Sequence, residues 1–128
     1  MEYIAGIITA LCVALPAHAL RFDKDTSFYP TILIVIALYY VLFAAMSGIA
    51  ASIVAESMIA LLFIGTAAFS KKFPFLAVGL GLIAHGLFDL MHNQFIEIST
   101  VPLWWPAYCA TVDVLLGLWV LYLWRLRT

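Results

Sequence analysis

The chain has 128 residues, of which 66% are hydrophobic and 10% charged, with a formal net charge of -1. This composition excludes an ordinary soluble domain, and no basic patch for a nucleic acid partner is present. Successive apolar runs of about 20 residues match the length that a helix needs to cross a hydrocarbon core of about 30 Å. These runs do not alternate as the strands of a transmembrane barrel do. We therefore predict an all-α, multi-pass protein of the cell membrane.

Five apolar segments predict a five-transmembrane-helix bundle that forms a single domain over residues 1–128. The longest apolar stretch has twice the length of one crossing, so two helices share it, with Ser47-Gly48 as the break between them. The first segment is expected to be a retained helix and not a signal peptide, because Glu2 stands where a signal peptide has a positive charge. The predicted spans cover about residues 3–20, 29–46, 49–69, 75–95 and 103–124.

Positive charges are distributed unevenly between the two ends of this bundle. With five spans, all six Lys and Arg residues fall on one side of the membrane, and positively charged loops stay in the cytoplasm. We therefore predict that the N-terminus, the Ser47-Gly48 turn and the loop around Glu97 lie outside, with the C-terminus cytoplasmic. Trp104 and Trp105 then lie at the outer interface, where tryptophan is enriched. The six basic residues are Arg21, Lys24, Lys71, Lys72, Arg125 and Arg127.

One predicted span carries three ionisable side chains. His85, Asp89 and His92 stand at i, i+4 and i+7, a spacing that places all three on one face of a helix. Ionisable groups at membrane depth are costly, so they face the protein interior and mark functional sites. In the second predicted span, Tyr39 and Tyr40 are expected to pack, and either can direct its hydroxyl at this site.

Two further acids lie in neighbouring predicted spans. Counting 1.5 Å per residue from the ends of the spans places Glu56 level with Asp89, about 10 Å below the outer surface. The same count places Asp113 level with His85, near the midplane of the membrane. Small residues flank both Glu56 and Asp113, and small residues let helices pack closely in lipid. We therefore expect the polar groups of three helices to converge in the outer half of the membrane.

The converging acids lack a positive partner, because no Lys or Arg lies within the predicted spans. An isolated carboxylate in a medium of low dielectric constant either takes up a proton or binds a cation. His nitrogen and carboxylate oxygen suit a divalent metal ion, with zinc as the first choice. The predicted metal ligands are His85, Asp89, His92, Glu56 and Asp113. Of these, Glu56 and Asp113 are also the predicted catalytic residues, as ligand, orienting group or base.

A metal centre that opens toward the outer leaflet favours hydrolysis of a lipid-like or other small-molecule substrate by metal-activated water. The His-x3-Asp-x2-His face resembles, in kind, the His/Asp centres of membrane-embedded lipid hydrolases such as the alkaline ceramidases. Those enzymes have seven spans and a different motif order. The resemblance therefore implies metal-dependent hydrolysis beside membrane lipid as an expectation, and it does not fix the activity.

Two alternatives of different classes remain open. A small oligomeric carrier would cycle Glu56 and Asp113 between a proton and a transported cation. A structural or partner-binding subunit would use the same groups as hydrogen bonders between helices. Faces rich in glycine and alanine also favour a homodimer or another homo-oligomer.

The first polar loop carries charges that are expected to take no part in this site. His18, at the cytoplasmic end of the first span, is expected to extend toward the membrane interface. Asp23 and Asp25 are expected to pair with Arg21 and Lys24 in a solvated loop.

Overall fold

The computed structural model describes residues 1–96 and 101–128, without the side chain of Phe95. This part of the chain is helical and contains no strand. Five α-helices are long and apolar enough to cross a membrane, which confirms the predicted five-helix bundle. Their ends lie within three residues of the predicted bounds. The helices are α1 (Glu2–Ala19), α2 (Phe28–Ser47), α3 (Ala50–Ala68), α4 (Pro74–Phe95) and α5 (Trp105–Arg127).

The ends of the helices follow from local chemistry. Gly48 ends α2 with a left-handed backbone (φ 72°), which glycine adopts without steric cost. Ile49 is extended and α3 begins directly after it, so the predicted tight turn is confirmed. Pro74 occupies the first position of α4, where its missing N–H is not needed. The loop around Glu97 lies outside the described residues.

The helices pack in a defined order around α4 and α5. These two helices form the most extensive contact, α1 packs on α5, and both helices of the α2–α3 hairpin pack on α4. Within the part of the chain that the structure describes, α1 has no comparable contact with α2. Because successive helices run in opposite directions, α1, α3 and α5 begin at the same end, which we call the outer end after the predicted orientation. That orientation itself stays a prediction.

Glycines allow the central helices to approach closely. A Cβ at Gly117 of α5 would lie 2.8 Å from the carbonyl oxygen of Gly79 and 2.7 Å from the side chain of Ile83, both on α4. On α1, a Cβ at Gly6 would lie 2.7 Å from Thr111 of α5. Small residues of this kind let helix backbones meet in a membrane. These glycines are used within the chain, so they no longer argue for a homodimer, which stays a prediction.

The two faces of α3 differ in polarity. Leu61 and Leu62 are 65% and 72% exposed, as expected for side chains in contact with lipid. On the opposite face Glu56 is buried together with Ser52 and Ala60, one turn to either side of it. The prediction that Glu56 lies on a close-packing face and does not point into lipid is therefore confirmed.

At the inner end of the bundle, Asp23 differs from the prediction. Its side chain is buried, and its carboxylate lies 2.9 Å from Nδ1 of His18. Arg127, at the end of α5, donates a hydrogen bond of 3.0 Å to the backbone oxygen of Asp23. The predicted pairing of this aspartate with Arg21 or Lys24 is wrong, because the turn after α1 folds Asp23 back against that helix.

Asp25 also differs from the prediction, because it stabilises the start of α2. Ser27 donates hydrogen bonds to its carboxylate from the backbone N–H at 2.9 Å and from the hydroxyl at 2.7 Å. These two hydrogen bonds lower the pKa of the Asp25 carboxyl. Asp25 is exposed and therefore forms a solvated contrast to the acids inside the bundle.

Candidate metal centre

The polar face of α4 is buried. His85, Asp89 and His92 are 2%, 1% and 0% exposed, although the helix is apolar enough to cross a membrane. Because their spacing places all three on one helical face, they turn together toward the neighbouring helices. The prediction that these groups face the protein interior is confirmed.

The first group of polar side chains lies where α4 meets α5. Nδ1 of His85 lies 2.6 Å from Oδ2 of Asp113 and 3.5 Å from Oδ2 of Asp89. One ligand atom from each of these residues lies within 4.8 Å of the other two, and all three side chains are buried. His85 and Asp113 are therefore level with each other, as the depth count predicted. We call His85, Asp89 and Asp113 the His/Asp/Asp cluster.

Gly86 keeps α4 close to α5 beside this cluster. A Cβ at Gly86 would lie 2.8 Å from Val114, 3.1 Å from the carbonyl oxygen of Ala110 and 3.3 Å from Cβ of Asp113. The two helices therefore also approach each other closely at the position that follows His85 directly. A larger residue at position 86 would push the imidazole away from Asp113.

Asp89 is the member of the cluster without a hydrogen bond. Both of its carboxylate oxygens are buried, and neither accepts a hydrogen bond from the described residues. Oδ1 of Asp113 is also buried and accepts no hydrogen bond from the described residues. Two carboxylates therefore share a single imidazole, that of His85. A buried carboxylate without a compensating partner is costly at low dielectric constant. One of the two carboxylates in the cluster therefore either takes up a proton or binds a cation.

The other two predicted ligands form a separate pair between α3 and α4. Nε2 of His92 lies 2.6 Å from Oε1 of Glu56, and both side chains are buried. The depth count placed Glu56 level with Asp89, one turn inward of His92. The hydrogen bond agrees with that level, because the Glu56 side chain tilts toward the outer end, where α3 begins, and the His92 side chain tilts toward the inner end, where α4 begins. We call these two residues the Glu56–His92 pair.

Aromatic side chains enclose both imidazoles. Tyr40 stacks on His92 with 4.4 Å between ring centroids, and its ring lies 6.0 Å from that of His85. The rings of Phe63 and His85 form a T-shaped contact with 4.6 Å between their centroids. The hydroxyl of Tyr40 is buried and has no hydrogen-bond partner among the described residues. Tyr40 therefore lies between the two polar groups and adds one more unpaired polar atom to this region.

The His/Asp/Asp cluster has the donor set of a divalent metal site. Zinc binds His nitrogen and carboxylate oxygen at about 2.0–2.2 Å, in a tetrahedron whose ligand atoms lie about 3.4 Å apart. The 3.5 Å between His85 and Asp89 fits this spacing. The 2.6 Å between His85 and Asp113 would widen by about 0.8 Å as an ion replaced the shared proton. The cluster can therefore hold a metal ion.

A lateral groove of about 600 Å³ lies beside the cluster, between α1 and α2, with α5 as its floor. Asp113 forms part of the groove wall, but its side chain is only 1% exposed, so the cluster lies behind this wall. Thr9 and Tyr108 also line the groove and are joined by a hydrogen bond of 2.9 Å. The groove is therefore a space of ligand size that adjoins the cluster.

No protein-family model matches the chain, and comparisons with curated proteins and with solved structures find no match. A helical bundle hosts many unrelated activities, so the fold by itself does not imply one. What the protein does has to follow from its buried polar groups and from the groove beside them.

Proposed function

We propose that this protein binds one divalent metal ion, with zinc as the first choice, at the His/Asp/Asp cluster. The observation that supports the proposal best is Asp89, a buried carboxylate that accepts no hydrogen bond from the described residues and lies beside a second carboxylate. A divalent cation supplies the positive charge that the cluster lacks and gives the Asp89 oxygens a partner. His nitrogen and carboxylate oxygen are donors that zinc accepts.

We propose further that the metal serves the hydrolysis of a lipid-like ester or amide. A metal held by three protein ligands activates a water in its open position and polarises a carbonyl. In such a reaction the water oxygen bonds to the acyl carbon and the C–O or C–N bond breaks. The proton from the water passes to the leaving alcohol or amine. A cluster buried among helices that suit a membrane favours a substrate that arrives from the lipid phase.

The two polar groups have different roles in this proposal. His85, Asp89 and Asp113 hold the ion, and the hydrogen bond between His85 and Asp113 orients both ligands beforehand. Glu56 accepts the proton from water and returns it to the leaving group, and its 2.6 Å contact with His92 holds it in place. Assigning Asp113 as a ligand and Glu56 as the base separates the two roles that the sequence left open.

Metal content tests the first half of the proposal. The protein is purified in detergent, equilibrated with trace zinc, manganese, iron and nickel, and analysed for metal by mass spectrometry. We expect about one equivalent of metal per chain, and at least a tenfold lower affinity in Asp89→Asn because a ligand is lost. Asp25→Asn is the matched control, since it removes the same charge from an exposed loop and should leave the metal content unchanged.

Two results would contradict the proposal. A wild-type protein that stays free of metal under these conditions has no such site, and cation transport coupled to protonation in vesicles would then favour the carrier. Equal metal content in the wild type and in Asp89→Asn would place the ion elsewhere. The hydrolytic half requires turnover of a fluorogenic acyl ester or amide that is lost in His85→Ala and retained in Asp25→Asn.

A further inference from the structure

The lateral groove exists because α1 and α2 do not close against each other. Both helices are long and apolar enough to cross a membrane. Within the described residues each packs mainly on other helices, α1 on α5 and α2 on α3 and α4. The gap between them therefore faces the hydrocarbon of the bilayer. Its volume of about 600 Å³ falls within the range of about 300–1,000 Å³ that small-molecule sites occupy.

Polar atoms line the outer half of the groove. Glu2 lies at its outer end, and the hydrogen-bonded hydroxyls of Thr9 and Tyr108 lie further in. Nε1 of Trp105 is a buried donor that finds no acceptor among the described residues. A buried indole N–H normally has a hydrogen-bond partner, and at membrane interfaces this partner is often supplied by lipid. The polar groups of the outer half thus include the unpaired indole N–H of Trp105 and the carboxylate of Glu2, which lies 3.6 Å from the N-terminal ammonium group.

Most of the inner half is lined by apolar side chains, and the hydroxyl of Thr31, also in the wall, already donates a hydrogen bond to the backbone oxygen of Ser27. Val13 of α1, Ile32 of α2 and Leu116 of α5 contribute to this part of the wall. Val35 lies beside them on α2 and is 46% exposed. A ligand with a polar head and one hydrocarbon chain matches this division, because each part meets groups of its own polarity.

The His/Asp/Asp cluster lies close to the boundary between these two halves. Asp113 is in the groove wall, eight residues after Trp105, which corresponds to about 12 Å along α5. A short head group that accepts a hydrogen bond from Trp105 therefore leaves its link to the chain in the outer half, and the link has to move inward along the groove before it lies beside Asp113. Because Asp113 is buried, the wall has to open locally before that link reaches the cluster.

We propose that the lateral groove binds a single-chain amphiphile that enters from the bilayer between α1 and α2. Its hydroxyl-bearing head lies between Glu2 and Trp105, donating to the carboxylate and accepting from the indole N–H. Its acyl chain lies along Val13, Ile32 and Leu116. Binding of the amphiphile in the groove does not depend on the metal centre. The role of the groove as the substrate site of the metal centre rests on the proposed function.

Photoaffinity labelling tests this assignment. The probe is an N-acyl ethanolamine with a diazirine in its acyl chain, added to the full chain in phosphatidylcholine nanodiscs, and the labelled residues are located by mass spectrometry. We expect saturable labelling in the inner half of the groove that excess unlabelled N-acyl ethanolamine removes. Val35→Trp fills the groove and should lower this labelling by about tenfold or more. Val54→Trp is the matched control, because Val54 is 58% exposed on α3, away from the groove.

A second, milder variant tests the polar half without filling space. Trp105→Phe removes the unpaired N–H and should weaken binding of the probe about five- to tenfold, the effect of one hydrogen bond. The same variant should not alter binding of a probe whose head lacks an acceptor. Labelling that is not saturable, or that is equal in Val35→Trp and Val54→Trp, would overturn the proposal. Equal competition by two-chain phosphatidylcholine would overturn the single-chain assignment.

Metal content, measured on the same samples, separates this proposal from the proposed function. Saturable labelling of the groove in a protein that binds no metal would support the groove and contradict the metal centre. Stoichiometric metal without saturable labelling would support the metal centre and contradict the groove. Val35→Trp should keep its metal, because Val35 is not one of the metal ligands and lies on a different helix from all three of them.

Discussion

His85 and His92 lie seven residues apart on one face of α4, but they meet different partners. His92 meets one carboxylate, Glu56, at 2.6 Å, so this pair can share a single proton. His85 meets two carboxylates, Asp113 at 2.6 Å and Asp89 at 3.5 Å. The pair sets one carboxylate against one imidazole, although Oε2 of Glu56 is buried without a hydrogen-bond partner among the described residues. The cluster sets two carboxylates against one imidazole. The ratio of acids to imidazoles, more than burial, distinguishes the Glu56–His92 pair from the candidate metal-binding cluster.

We expect the largest loss of stability when the Glu56–His92 pair is broken. His92→Leu leaves the Glu56 carboxylate buried without its partner, so the free energy of unfolding should fall by about 3–5 kcal/mol. Denaturant unfolding in detergent micelles measures this loss. The metal content should stay at the wild-type level, because neither residue of the pair is a metal ligand in our proposal.

The double variant His92→Leu, Glu56→Leu is the control for this experiment. It removes both partners and replaces them with apolar side chains, so it should recover most of the stability that the single variant loses. A single variant that loses its metal together with its stability would show that the pair and the cluster form one site. The contrast between the two imidazoles would then fail.

A smaller effect is expected at the contact that aligns α4 with α5. In Gly117→Ala the new Cβ would meet the carbonyl oxygen of Gly79 at 2.8 Å, so we expect a loss of about 1–3 kcal/mol in stability. Metal affinity should fall as well, because Asp113 lies one turn before Gly117. In Gly65→Ala on α3, the Cβ meets nothing within 4 Å, and stability should be unchanged or rise by about 0.5–1 kcal/mol. Equal losses in both variants would mean that α4 and α5 do not depend on this glycine contact.

A still smaller effect is expected for Asp89→Asn in metal-free protein. Neither carboxylate oxygen of Asp89 accepts a hydrogen bond from the described residues, so stability should stay within about 1 kcal/mol of the wild type or rise. The measurement is the same denaturant titration, after removal of metal with a chelator. A loss of about 3 kcal/mol or more would show that Asp89 has a partner of its own, and the cluster would then resemble the Glu56–His92 pair.

The last and mildest perturbation tests the orientation of the protein in the membrane. This orientation determines which leaflet lies nearer to the Glu56–His92 pair and the His/Asp/Asp cluster. In a Cys12→Ser background, which removes the exposed native thiol, the other native cysteine is buried. A membrane-impermeant maleimide should label Ser47→Cys in intact cells, and Lys72→Cys only after the cells are opened. The reverse pattern would place the Glu56–His92 pair near the cytoplasmic leaflet.

The helices could be predicted because a membrane fixes their length and composition. Apolar runs of one membrane thickness gave the five segments, and Ser47-Gly48 gave the turn within the longest of them, where Gly48 has the left-handed backbone that ends α2. The order of packing could not be predicted in this way. In lipid, both the buried and the exposed faces of a helix can be apolar, so hydrophobicity does not identify a partner. A glycine indicates that another helix can approach closely, but it does not identify that helix.

The neighbours within the site could be predicted where the residues lie on one helix or at the same depth in the predicted membrane. The spacing of His85 and Asp89 placed them together, and the depth count matched His85 with Asp113 correctly. The same count gives backbone levels only, so it did not predict that Glu56 hydrogen-bonds His92 and not Asp89. The edge of Phe63 against His85 was missed, although Phe63 follows Glu56 by seven residues on the same face of α3. That periodicity was the available signal.

The packing of α1 on α5 has a consequence for how the chain folds during its synthesis. Gly6 fits against Thr111 of α5, and α5 is the last of the five helices to leave the ribosome. α1 is therefore synthesised before its partner, and it has to remain undocked until α5 has followed the α2–α3 hairpin and α4. A chain arrested before α5 would leave α1 without the helix on which it packs.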